Sequence, residues 1–268
     1  MASHPLIERF ARARLPLDLA TAPLGRGAGL ESIVQLDIRR ARPRSERFVL
    51  WHGDPRNRVE VEGMDRDERQ LVLMVHERRH RFEVELNRWA TFDPTRVTRR
   101  AGHRRWISEV TAERKRHFLL GMDEAHLFIA RLPAAVSTVR AAREALKGRA
   151  VRAAEASAST DALRQGEWFF LPVSALELGQ LDVIAQAADA PISRHRGIAQ
   201  AARWNRAGRE HLADEILVLE TSRPTPQGVF VRGRVRHPDH ATIELRTWHR
   251  VYGNEELSDR SPGMTWID

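Results

Sequence analysis

The chain has 268 residues, a formal charge of +8, an isoelectric point near 11.1, 42% hydrophobic and 30% charged residues, and no cysteine. That composition is globular rather than wholesale disordered and leaves room for one large or two modest cores; the missing thiols exclude disulfides, zinc–thiolate centres and cysteine nucleophiles. No apolar run approaches the ~20 residues of a membrane span, and Arg and Glu interrupt the amino-terminal MASHPLIERFARARLPLDL, so the reading is a cytoplasmic protein with no membrane partner.

Of the 44 basic residues only Lys115 and Lys147 are lysines. Arginine forks onto phosphate better than lysine does, although a GC-rich genome produces the same bias through codon usage. The distribution of charge is more informative. Residues 1–150 carry a net +10 and residues 151–268 a net −2, so any polyanion-binding surface in the second part must be a local patch.

In chain order, Ser3 and Pro5 start a helix whose apolar stripe is Leu6, Phe10 and Ala13. The glycine-rich Leu24–Leu30 meets neither the dinucleotide nor the P-loop pattern and reads as a connection. Leu30–Leu86 alternates as a β meander, with Leu71–Val75 apolar throughout and therefore central. Thr95–His117 is the most basic window, with a helix expected from about Arg105. His126–Leu132 is a strand, and Pro133 opens a helix through Val136, Val139, Ala142 and Leu146. Residues 148–163 are small and polar and read as a linker between a basic domain, 1–150, and a smaller one, 164–268. Beyond it come a strand at Glu167–Val173, helices at Leu176–Ala188 and Ser193–Ala207, a strand at Ile216–Leu219, a hairpin over Val229–Tyr252, and a tail whose Trp266 is expected to dock on the body. The fold class is α+β, with mixed or mainly antiparallel sheets, a few packed helices and two subdomains.

The hairpin's register follows from keeping its faces coherent. An odd connection at His237-Pro238-Asp239-His240 pairs Val235 with Ile243, Gly233 with Leu245, Val231 with Thr247 and Val229 with His249. The other face then gathers Phe230, Arg232, Arg234 and Arg236 with Thr242, Glu244, Arg246, Trp248, Arg250 and Tyr252, placing Phe230 across from Trp248 and Arg232 across from Arg246. Guanidinium groups set between rings suit a sugar-phosphate backbone with unstacked bases, if that face looks outward.

Three functional readings follow. The first is nucleic-acid binding, with single-stranded RNA or DNA favoured, through Phe230, Arg232, Arg234, Arg236, Arg246, Trp248, Arg250 and Tyr252, helped by a basic arm of Arg99, Arg100, Arg104, Arg105 and Trp106. The second is a metal-dependent hydrolase or nuclease using His237, Asp239 and His240 as catalytic residues, with His211 or His249 assisting. Imidazole and carboxylate suit a divalent cation or acid–base work, but no HExxH or other paired ligand motif is present. The third is an assembly protein whose hairpin face pairs with another copy as a homo-oligomer. The leading reading requires no cofactor, and only the second calls for a divalent metal.

Overall fold

A computed structural model describes residues 4–25, 30–40, 46–85, 97–102, 106–111, 113–124, 126–187, 190–203, 209–219 and 228–254. The protein is α+β with mostly antiparallel sheets. It divides into two compact units: described residues up to 122 and from 126 to 146 make the first, and Asp123, Glu124 and the residues from 147 to 254 make the second.

The first unit runs α1 (Pro5–Arg12), β1 (Leu17–Leu19), β2 (Gln35–Arg40), β3 (Glu46–Trp51), β4 (Arg58–Asp65), β5 (Gln70–Glu77), β6 (His80–Glu85), β7 (Val97–Gly102), β8 (Trp106–Thr111), β9 (Arg114–Asp123), β10 (His126–Arg131) and α2 (Val139–Leu146). Its sheets are ordered β1-β3-β2, β10-β9-β5-β4 and β6-β8-β7. Leu71, Leu73 and Val75 of β5 pack with Phe10, Leu36, Phe48, Phe118 and Leu120, while Val72 faces Leu119, Val139, Ala142 and Leu146 beneath α2. Both faces of β5 are covered, which is why its sequence is apolar at consecutive positions instead of alternating. Two expectations fail here. The segment after Arg105 is β8, paired with both β6 and β7, not a helix. The helix expected from Pro133 begins only at Val139.

The second unit runs α3 (Arg149–Ala158), β11 (Leu163–Gln165), β12 (Trp168–Pro172), α4 (Ala175–Gln186), β13 (Ile192–Gly197), α5 (Ile198–Ala201), β14 (Leu212–Leu219), β15 (Gly228–His237) and β16 (His240–Gly253). Its described strands form a sheet ordered β11-β12-β16-β15-β14-β13. The stretch read as a linker is largely α3, which buries Val151 against Phe169 and Leu171. The helix expected over Ser193–Ala207 is, in its described part, β13 followed by the short α5, and residues 204–207 lie outside the described residues. Pairing with β14 satisfies the backbone of Ile192–Gly197, and His195 at φ +52° is left-handed, a conformation no α-helix passes through. Ser174 begins α4 with a reciprocal capping box to Glu177, and Leu181 is buried on the sheet.

Strand β16 is strongly bent. Its last five residues pair with β12, yet the Gln165 amide beside the start of β12 donates to the Ala241 carbonyl near the beginning of β16. A straight 14-residue strand would hold its ends ~43 Å apart. The bend is placed by a bulge between the Val231–His249 and Gly233–Leu245 pairs, where three residues of β16 face one of β15.

Candidate functional site

The hairpin forms with Val235 opposite Ile243, Gly233 opposite Leu245 and Arg234 opposite Glu244, as the pattern predicts. The odd offset arises differently: His237 pairs with His240 across the two-residue turn Pro238–Asp239, and a one-residue irregularity before His237 supplies the remainder. Beyond Gly233 the bulge moves the register. Val231 faces His249 rather than Thr247, Phe230 faces Arg250 rather than Trp248, and Arg232 and Arg246 are not partners. A bulge adding two residues preserves parity, so the two faces keep their predicted membership while the cross-strand pairs change.

The face carrying the rings does not look outward as expected. Phe230 and Trp248 are fully buried, packed with Leu181 and Leu217 under α4, and Tyr252 is half-buried against Val151, Phe169 and Leu171. The guanidiniums do lie over the aromatics, Arg232 4.6 Å from the Trp248 ring and Arg250 5.0 Å from that of Phe230, but acids hold both in place. Arg250 pairs with Glu177 at 2.7 Å, and Arg232 reaches Glu215 at 2.7 Å and Asp182 at 3.3 Å. Rings so covered offer no stacking platform for bases. The sequence carried a trace of this, since α4 has apolar residues all round its surface and such a helix covers something.

The other half of the same face is open. A depression of about 690 Å³ is lined by Arg194, His195, Asp214, Glu215, Arg232, Arg234, Glu244 and Arg246. Asp214 is its anchor: it accepts from the Arg234 backbone N–H at 3.0 Å and pairs with Arg236 at 2.6 Å, and these donors hold its carboxyl at about 2 despite partial burial. Arg194 and Arg246 make no ion pair among the described residues. In the basic arm, Arg99 and Arg100 occupy adjacent positions of β7 and Trp106 begins β8. Arg104 and Arg105 lie outside the described residues, as does Trp266.

At the end of the sheet the turn histidines converge with one that precedes β14. The His211 ring stacks on His237 at 4.2 Å and 18°, His240 lies 4.8 Å from His237 and 5.5 Å from His211, and a ligand atom of each falls within 4.8 Å of the others. His211 is 2% exposed and, among the described residues, neither of its nitrogens has a hydrogen-bond partner; Nδ1 of His240 is likewise buried without one. Burial, and then the charges His237 and His240 would carry, push the His211 pKa down to about 3; burial also lowers that of His237. Asp239 faces Arg209 at 3.4 Å, and its backbone N–H donates to Nδ1 of His237. It therefore shapes the turn. His249 is buried elsewhere, bonded to the Thr247 carbonyl at 2.8 Å.

Neither the family models, nor the curated proteins, nor the solved structures contain a match to this chain. The partners that sequence reasoning missed are Gly166 and Glu167, in the β11–β12 turn. Nothing local in Gln-Gly-Glu announces a site, because only the bend of β16 carries that turn to His240.

Proposed function

We propose that this protein binds a polyanion, with a nucleic-acid backbone as the partner, through the open arginine half of the hairpin face. The observation that carries the reading is the depression at Arg194, Arg232, Arg234 and Arg246, where two of the four guanidiniums are uncommitted among the described residues. Arginine forks there can take phosphate oxygens, a local patch in a part of the chain that carries a net −2. With Phe230 and Trp248 enclosed, the contacts are to phosphate and sugar, so unpaired bases are not required and single and double strands should bind comparably.

The test is fluorescence anisotropy of labelled oligonucleotides titrated over salt. Charge reversal by Arg194→Glu or Arg246→Glu is expected to weaken binding about tenfold and to flatten the salt dependence by roughly one unit of slope per lost phosphate contact. Unchanged affinity and slope in both variants would remove this surface from consideration.

A further inference from the structure

The gathered histidines carry a second inference, independent of the arginine surface. We propose that His211, His237 and His240 form a divalent transition-metal site that pins the start of β14 to the β15–β16 turn, beside the β11–β12 turn.

The bonding capacity of His211 is unmet. Two imidazole nitrogens of a residue that is 2% exposed have no hydrogen-bond partner among the described residues, and a buried polar atom left without one costs free energy unless a ligand takes it up.

The rings of His211 and His240 also converge. A Cβ built on Gly166 would lie 3.0 Å from Nε2 of His240 and 3.1 Å from Nε2 of His211, so both atoms face the same small space, kept open by a residue without a side chain. On the far side of each ring stands a carboxylate. Glu167 Oε1 is 3.9 Å from Nδ1 of His211, and Asp123 Oδ2 is 3.8 Å from Nδ1 of His240. Neither contact is a hydrogen bond at these distances, but a closing of about an ångström at each would complete the carboxylate–histidine–metal arrangement, in which the acid fixes the tautomer and raises ligand basicity.

His237 fits the set through its other nitrogen. Its Nε2 lies 3.2 Å from the Arg209 carbonyl, to which it donates, and this leaves Nδ1 as the lone-pair atom. Among the described residues Nδ1 now accepts only the Asp239 backbone N–H at 3.2 Å, from a residue two positions away. The assigned ligand atoms are thus Nε2 of His211, Nε2 of His240 and Nδ1 of His237.

Geometry also says what binding must change. Zinc–nitrogen bonds of ~2.0–2.1 Å place ligand atoms ~3.4 Å apart in a tetrahedron, whereas one ring nitrogen from each of the three histidines now lies within 4.8 Å of the others. The ring planes, 18° to 32° from parallel, must turn so that their lone pairs meet. The movement is about an ångström in side chains on two neighbouring segments, the start of β14 and the β15–β16 turn. Neutral imidazoles suit zinc, nickel or copper better than magnesium or calcium.

The probe is Zn²⁺ added to the full chain after chelator treatment, with Co²⁺ as a spectroscopic substitute. Expected are saturable binding of a single ion, visible Co²⁺ ligand-field bands, a rise in melting temperature with Zn²⁺, and nitrogen chemical shifts that mark Nε2 of His211 and His240 but Nδ1 of His237 as coordinated. His211→Gln or His240→Gln should abolish the Co²⁺ bands. Glu167→Gln and Asp123→Asn, which leave all three rings in place, should weaken Zn²⁺ by ten- to a hundredfold; His249→Gln should not alter it. The idea is overturned if Zn²⁺ fails to saturate, if His211→Gln binds as tightly as the parent chain, or if both carboxylate variants keep full affinity. Because none of these measurements uses nucleic acid, the arginine reading stands or falls separately.

Discussion

Trp248 donates its indole N–H to Oδ1 of Asp182 at 3.1 Å, and the same oxygen lies 3.3 Å from the Arg232 guanidinium that covers the ring. One α4 carboxylate thereby satisfies both the polar edge of a buried indole and the cation stacked on its face. The arrangement converts what reads in sequence as a recognition surface into a seam between helix and sheet. Trp248→Ala is expected to destabilise the second unit by ~3–5 kcal/mol in chemical denaturation, as for large aromatic truncations in a core. Trp248→Phe, folded, should retain oligonucleotide affinity; a tenfold loss there would mean that the ring contacts bases after all.

The first unit has a corresponding buried charge. Arg116 pairs with Glu77 at 2.8 Å with both side chains at most 6% exposed, and Glu77 also accepts the Val34 backbone N–H at 2.9 Å. Removing one partner of such a pair leaves an uncompensated charge in a place water does not reach. Glu77→Gln should cost about 3 kcal/mol in urea unfolding, more than Glu60→Gln on exposed β4. Equal effects of the two would show that the pair contributes no more than a surface bridge.

Gly233 sits at φ +87°, and a Cβ there would fall 2.8 Å from Cβ of Asp214. A side chain would be strained twice, by backbone conformation and by contact with a strand atom that cannot swing away. Gly233→Ala is predicted to lower the melting temperature by several degrees and to reduce oligonucleotide binding together with it, because Asp214 positions Arg234 and Arg236. A variant as stable as the parent would indicate that the bulge relaxes freely.

How much of this was legible in the chain depends on the range of the signal. Strand and face assignments came from alternation, a local property, and Val235 opposite Ile243 followed from it. Two things were not local. Bulges displaced Phe230 from Trp248 to Arg250 without disturbing parity, and no residue pattern marks where a strand takes extra residues. The cover over the rings comes from α4, more than 40 positions before β15, and whether a face is solvated or covered depends on that packing, not on its own residues. His237 and His240 were visible as neighbours in sequence. His211 joins them only because β14 pairs with β15, and Gly166 only because β16 bends.

Acid should act on the arginine surface through Asp214. Its carboxyl titrates at about 2 in the folded protein against 3.8 ordinarily, held down first by the Arg234 backbone N–H and then by the Arg236 and Arg234 side chains. A depressed carboxyl contributes stability that is complete above its ordinary value and is lost as pH falls through the folded one. Between pH 4 and 2 the unfolded chain takes up a proton that folded Asp214 refuses, which amounts to about 2 kcal/mol for this group. Asp214→Asn lacks that proton uptake. The stability gap between parent and variant, measured by denaturant titration, should therefore be widest near neutral pH and close toward pH 2. A gap that stays constant across that range would mean that the carboxylate is not the charged partner holding Arg234 and Arg236.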